Sequence, residues 1–221
     1  PLLLRLISVG TAIKFNLMEP SQFRGIDNTK AGSGALPGIE QTELRASRLI
    51  AEAVRFATLI SEMPRDPQYE VPPRARTVGT YSIDPARARD LDFDVSGVSA
   101  AHLANYLQTV EVSERFKNVL IGGNAYLVAT LINSDEIEIN VSIPVRVTPG
   151  TKRYDPTSVQ PDPLLAFADA AARRDFTLVA VGTDPLTGEI LDPFGGRADL
   201  ASGTLRAVEP SRLMQDPICL A

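Results

Sequence analysis

At 221 residues and 23.8 kDa the chain is long enough to enclose a sizeable core, and 44% hydrophobic with 22% charged residues sets it apart from disordered chains. A single Cys219 and a single His102 exclude a disulfide framework, a Cys/His zinc site within one chain and a CxxC redox pair. A formal charge of −5 gives no global attraction for nucleic acid, and no run reaches the roughly 18 to 20 apolar residues of a membrane span, so a cytoplasmic chain without a membrane partner is expected.

Residues Pro1 to Pro20 hold a short apolar run interrupted by Arg5, with neither a charged start nor a small-residue cleavage site, and read as a trimmed terminus rather than the tail of a signal peptide. Asn28 to Gly38, with Gly32, Gly34, Pro37 and Gly38, reads as a flexible loop that does not fit the phosphate-loop pattern GxxxxGK[ST]. From Thr42 to Glu62, Ala46, Leu49, Ile50, Ala53, Phe56, Ala57 and Ile60 recur at spacings of three and four and predict one face of a helix, which Pro64 ends. Arg45, Arg48 and Arg55 share a side of it and read as a solvated face. The proline-rich stretch Pro64 to Arg74 reads as a linker. Residues 1–74 are therefore expected to be an extension with one long helix, and 75–221 the main domain.

Beyond Arg74 the pattern is mixed. Thr77–Ile83 is a strand candidate, and Leu91–Val95 alternates Leu91, Phe93 and Val95 against Asp90, Asp92 and Asp94, which puts the aspartates on one face. Ser99 is expected to cap a helix carrying Leu103, Tyr106, Leu107 and Val110, with His102 in a structural or exposed role on its flank. Two strand runs follow, Asn118–Ile132, interrupted by Gly122–Gly123, and Ile137–Val147. Asp162–Pro163 predicts a helix start, running to Arg173. Phe176–Val181 and Glu189–Pro193 predict a hairpin around the turn Asp184–Gly188.

Asp90-Leu91-Asp92 is the chemistry to weigh. Two carboxylates at i and i+2 on a strand point the same way and can share a divalent cation, without which their repulsion destabilises the strand. Such a pair suits metal-dependent nucleotidyl transfer. On spacing alone the favoured reading is a polar strand face in water.

Residues 162 to 200 resemble the head region of class II tRNA nucleotidyltransferases, the CCA-adding and bacterial poly(A) polymerase group. The likeness lies in Arg173-Arg174-Asp175-Phe176-Thr177, Asp184-Pro185, Gly188-Glu189, Leu191-Asp192-Pro193-Phe194-Gly195-Gly196, Asp199-Leu200 and Leu205-Arg206. From that anchor, Arg89 to Ser99 resembles the segment bearing the family's metal-binding DxD, and Ile137 to Pro144 the strand that usually reads E-I-D-V. The resemblance covers roughly residues 75 to 217. It implies an α+β fold, a polymerase-β-type head in which a mixed sheet has helices packed on one face and the active site on the other. It also implies Mg²⁺ on Asp90 and Asp92, with Glu138 as a further ligand, and an incoming ATP or CTP contacted by Gly79, Arg173, Arg174 and Asp175. The acceptor implied is the 3′ end of an RNA, a tRNA.

The chain also departs from the pattern. The first-strand motif Gly-Gly-x-x-Arg-Asp is here Gly79-Thr80-Tyr81-Ser82-Ile83-Asp84, without the second Gly and the Arg, and Thr80 and Tyr81 are expected to obstruct backbone approach to a triphosphate. Val179 stands where the RRDFxxN motif has Asn, and Asn140 where the E-I-D-V strand has Asp. The chain reaches Gln215-Asp216-Pro217-Ile218-Cys219 where the family continues into a base-reading neck, so the domain is expected to be truncated before that neck. Three functions compete. They are a metal-dependent enzyme adding CMP or AMP to an RNA 3′ end, an impaired descendant retained as a nucleotide- or protein-binding module, and a nucleotidyltransferase with a protein or small-molecule acceptor.

Overall fold

The structure is a computed structural model that describes residues 7–9, 12–14, 37–122, 128–148 and 159–211. In chain order its elements are β1 (Ile7–Val9), β2 (Ala12–Lys14), α1 (Pro37–Glu62), β3 (Arg74–Val78), α2 (Thr80–Ile83), β4 (Leu91–Ser96), α3 (Ala100–Leu107), α4 (Val110–Ser113) and β5 (Asn118–Gly122). There follow β6 (Val128–Ile132), β7 (Glu138–Ser142), β8 (Val145–Val147), β9 (Val159–Pro161), α5 (Phe167–Ala171), a 3-10 turn over Thr177–Ala180, β10 (Gly182–Thr183), β11 (Ile190–Leu191), α6 (Gly196–Ala201) and β12 (Thr204–Arg206).

Seven strands form the central mixed sheet in the order β11-β10-β3-β4-β7-β6-β5, with β4 and β7 parallel and the other neighbours antiparallel. Burial in β4 alternates strictly, with Leu91, Phe93 and Val95 inside. Those three join Ile139 and Val141 of β7, Ala129 and Leu131 of β6, Leu103 and Leu107 of α3, and the α1 stripe Leu49, Ala53, Phe56, Ala57 and Ile60 in one cluster. The Phe56 and Phe93 rings meet with centroids 4.7 Å apart at 46°. Helices thus cover one face of the sheet. The other face presents Arg76, Asp92, Asp94, Asn140 and Ser142, which the strand registers bring into adjacent rows.

Several expectations need correction. Ile50 is exposed, because at 100° per residue it turns off the arc held by Leu49, Ala53, Phe56 and Ile60. The strand expected at Thr77–Ile83 spans Arg74–Val78, and the chain then turns at Gly79 into α2. Ser99 caps α3 by accepting from the His102 N–H, but that helix stops at Leu107, and Thr109 re-extends so that Val110 opens α4 on the surface. Asp162 holds a turn through the Leu164 N–H and an ion pair with Arg146 at 2.7 Å, and the helix begins only at Phe167. The expected strand Phe176–Val181 is the 3-10 turn, leaving Gly182–Thr183 to pair with Ile190–Leu191. No strand is predicted before Thr42, yet β2 pairs with β1 on one side and β12 on the other in a second sheet.

The stretch between α1 and β3 is held at two points. Asp66 is buried and accepts from the Ser99 hydroxyl at 2.5 Å and the Ser99 N–H at 2.9 Å. The His102 ring Nε2 lies 2.9 Å from the Pro64 carbonyl oxygen, which gives that histidine a structural task.

Candidate active site

Strand alternation carries Asp92 and Asp94 outward from β4, whereas Asp90, expected on the same strand, lies just before the strand begins at Leu91. Asp92 faces Val78 across one side of β4 and Asn140 across the other. At the end of β3 the backbone of Gly79 takes φ +73°, and a Cβ there would sit 3.2 Å from Asp92 Oδ2. Glycine therefore permits both the turn and the close approach. Tyr81, expected to obstruct this approach, is buried in the core cluster instead, while Thr80 is exposed. Asp84 ends α2 and accepts from the Ala86 N–H, a local turn contact.

Partial burial first, and the neighbouring Asp90 second, hold the Asp92 carboxyl above the usual range; Arg174 and a hydrogen bond with Asn140 pull it down, and Asp94 pushes it up again. Asn140 is fixed from behind: Thr130 Oγ1 donates to its Oδ1 at 2.9 Å, which leaves its amide N–H groups for acceptors, one of them Glu138 Oε1 at 3.1 Å. Glu138, at the edge of the same face, is exposed.

The segment after α5 brings Arg174 onto this face, its Nη2 3.8 Å from Asp94 Oδ2, while the Ser142 hydroxyl donates to Asp94 Oδ1 at 2.8 Å. Arg173 and Asp175 flank it, both half-buried, and the Asp175 carbonyl accepts from the Val208 N–H. Carboxylates and guanidinium thus meet on the open face, a combination suited to a cation together with a phosphorylated ligand. Among the described residues no three His, Cys, Asp or Glu side chains converge as a metal cluster, and no helix is long and apolar enough to cross a membrane.

The stretch from Leu191 to Arg206 serves architecture. Asp192 accepts from the N–H groups of Gly196 at 2.7 Å and Arg197 at 3.1 Å, which caps α6. A Cβ on Gly196 would meet the Thr177 carbonyl oxygen at 2.1 Å, so glycine is needed for this packing. Buried Asp199 accepts from Thr177 Oγ1 at 2.6 Å and from Arg206 Nε at 2.9 Å.

Two side chains of this face were not singled out as site residues from the sequence. Asp94 was legible as part of the alternation. Arg76 lay outside the expected strand and becomes visible only once β3 begins at Arg74 and sets Arg76 opposite Asp94.

The chain matches the Poly A polymerase head domain family over residues 84–206, more than half of its length. It is 42% identical over 60 residues to the Multifunctional CCA protein of Xanthomonas oryzae pv. oryzae, an overlap of 27% of this chain and 14% of that protein. A solved CCA-adding enzyme, apo form II, shares the fold with a TM-score of 0.60 at 16% identity, over 81% of this chain and 40% of that one. The Thermotoga maritima CCA-adding enzyme complexed with tRNA matches with a TM-score of 0.52 at 20% identity, over 78% and 38% of the two chains. The chain therefore spans well under half of each of these proteins.

Proposed function

The chain belongs to the Poly A polymerase head domain family, and from that premise we propose that it carries the nucleotidyl-transfer site of a tRNA nucleotidyltransferase, adding CMP or AMP from CTP or ATP to an RNA 3′ end in the cytoplasm. One observation carries this reading. A carboxylate that its surroundings disfavour, Asp92, shares an open sheet face with a guanidinium from the segment after α5. The likeness to CCA-adding enzymes, one of them solved with tRNA, supports the acceptor class.

Asp90 and Asp92 fit a divalent cation by chemistry, since both are hard oxygen donors and their mutual repulsion is what a cation would relieve. They would hold Mg²⁺, with Glu138 at the edge of β7 as a further oxygen donor. Bound there, Mg²⁺ supplies positive charge for the phosphate oxygens and for the attacking hydroxyl. Arg173 and Arg174 hold the phosphates, Asp175 accepts from a ribose hydroxyl, and Gly79 leaves room beside Asp92. The RNA 3′-hydroxyl oxygen then bonds to the α-phosphorus and gives up its proton to water as the bond from that phosphorus to the α–β bridging oxygen breaks and pyrophosphate leaves.

Replacing Asp92 by Ala should abolish incorporation of labelled CMP and AMP into a tRNA lacking its 3′ terminus, with thermal stability unchanged or raised. Retained incorporation in that variant would remove the metal-dependent mechanism. The second reading, a nucleotide-binding module without turnover, is favoured by one observation, the lack of a three-carboxylate cluster among the described residues. Calorimetric binding of CTP with Mg²⁺ by a wild-type protein that incorporates nothing would establish it.

A further inference from the structure

We propose that Arg76 is a further substrate-binding residue of this site, its guanidinium taking phosphate oxygens of the nucleoside triphosphate alongside Arg174. The inference rests on the transferase reading above.

Arg76 lies on β3 in register with Asp94, on the face shared by Asp92 and Asn140. Yet the cross-strand carboxylate does not neutralise it. Asp94 Oδ1 accepts from the Ser142 hydroxyl and Oδ2 faces Arg174, and no ion pair joins Arg76 to any described residue. Its Nε is shielded from water and has no hydrogen-bond partner, unlike any other buried side-chain nitrogen or oxygen among the described residues. A buried donor without an acceptor is costly, and Arg is always charged, so the group cannot escape the cost by losing a proton. Among the described residues none supplies the missing acceptor.

The surroundings say which ligand would. The residue is half-buried in the open face, and the segment that delivers Arg174 runs over the same face, with the Phe167 ring of α5 against Gly182, the β10 neighbour of Val78. Two guanidinium forks thus flank Asp94, a short distance along the sheet from Asp90 and Asp92. A planar fork with unused N–H groups matches the paired oxygens of a phosphate, and a polyphosphate is long enough to lie across both arginines and a cation at the aspartates. A nucleoside without phosphates offers no such match.

Calorimetric titration of the full chain in Mg²⁺ with CTP, and separately with inorganic triphosphate, tests this in wild type, Arg76→Met and Arg76→Lys, with a thermal melt of each. The Met variant should bind both ligands about 10- to 100-fold more weakly, Lys should recover part of the loss, and the Met variant should melt no lower than wild type because no hydrogen bond or ion pair to a described residue is lost. Dissociation constants for Arg76→Met within about twofold of wild type overturn the assignment while leaving the transferase reading in place. A Met variant melting several degrees lower marks Arg76 as structural and overturns it too. Wild-type protein that binds neither ligand removes the transferase reading itself, and this inference with it.

Discussion

Asp92→Asn is the perturbation for which the structure gives a sign as well as a size. The folded carboxyl titrates above its ordinary value, so its ionised form is less favourable in the fold than in the unfolded chain. That cost is fully present above the folded pKa and disappears as pH falls below the unfolded one. Charges two residues apart on a strand are about 6.8 Å apart, and repel by about 0.6 kcal/mol in bulk water or about 2.4 kcal/mol at an effective dielectric of 20. Burial adds the largest cost, Asp90 repels on that scale and Asp94 by less, while Arg174 and the Asn140 hydrogen bond offset part, which leaves a net cost on the order of 1 kcal/mol against the wild-type residue. Asn removes the charge and keeps an oxygen to accept from Asn140. In chelator at neutral pH the variant should therefore melt about 2–4 °C higher than wild type. Adding Mg²⁺ should reverse the order, since an ion at ten times its dissociation constant stabilises only the protein that binds it, by about 1.4 kcal/mol. Differential scanning fluorimetry with and without Mg²⁺ reads both effects. A variant that melts below wild type in chelator would show the carboxylate to be net stabilising without an ion, and the repulsion argument would fail.

Two further outcomes follow from the fold. Phe56→Ala removes a fully buried ring packed at a tilt against Phe93 and should cost about 3–5 kcal/mol in urea denaturation; a loss under about 1 kcal/mol would mean that α1 is not part of the sheet's core. Hydrogen bonds from Ser99 hold the Asp66 carboxyl below its ordinary value, so its contribution is complete above about pH 4 and lost as pH falls through the lowered folded pKa. Asp66→Asn should flatten the dependence of the urea midpoint on pH in that acid range, and an unchanged slope would refute the assignment.

Where a local rule governed, the sequence was sufficient. The alternation around Phe93 placed the aspartates, Pro64 placed the end of α1, and Ser99 placed the start of α3. The fold class followed from the resemblance, and a mixed sheet whose core face is covered by α1 and α3 is what the structure has. The errors fall where a distant contact overrides local preference. Phe176–Val181 has the composition of a strand, but Thr177 is drawn to Asp199 and its carbonyl packs against Gly196, which bends the segment into a 3-10 turn. Asp162–Pro163 reads as a helix start, but the ion pair to Arg146 of β8 keeps Asp162 in a turn. On the outward face, Asp92 follows from the strand alternation and Arg174 enters only through the resemblance, whereas Arg76 depends on a strand register that no local pattern reveals. The interruption expected at Gly122–Gly123 and the truncation expected at Gln215 to Cys219 extend onto residues 123–127 and 212–221, which lie outside the described residues.

Part of the likeness to the family lies in residues that serve the fold rather than a reaction. Asp192, Gly196, Asp199 and Arg206 tie α6 to the Thr177–Ala180 turn and to β12. A substitution in this knot is therefore felt as lost stability, whereas one on the outward rows of β3, β4 and β7 tests the proposed transfer directly.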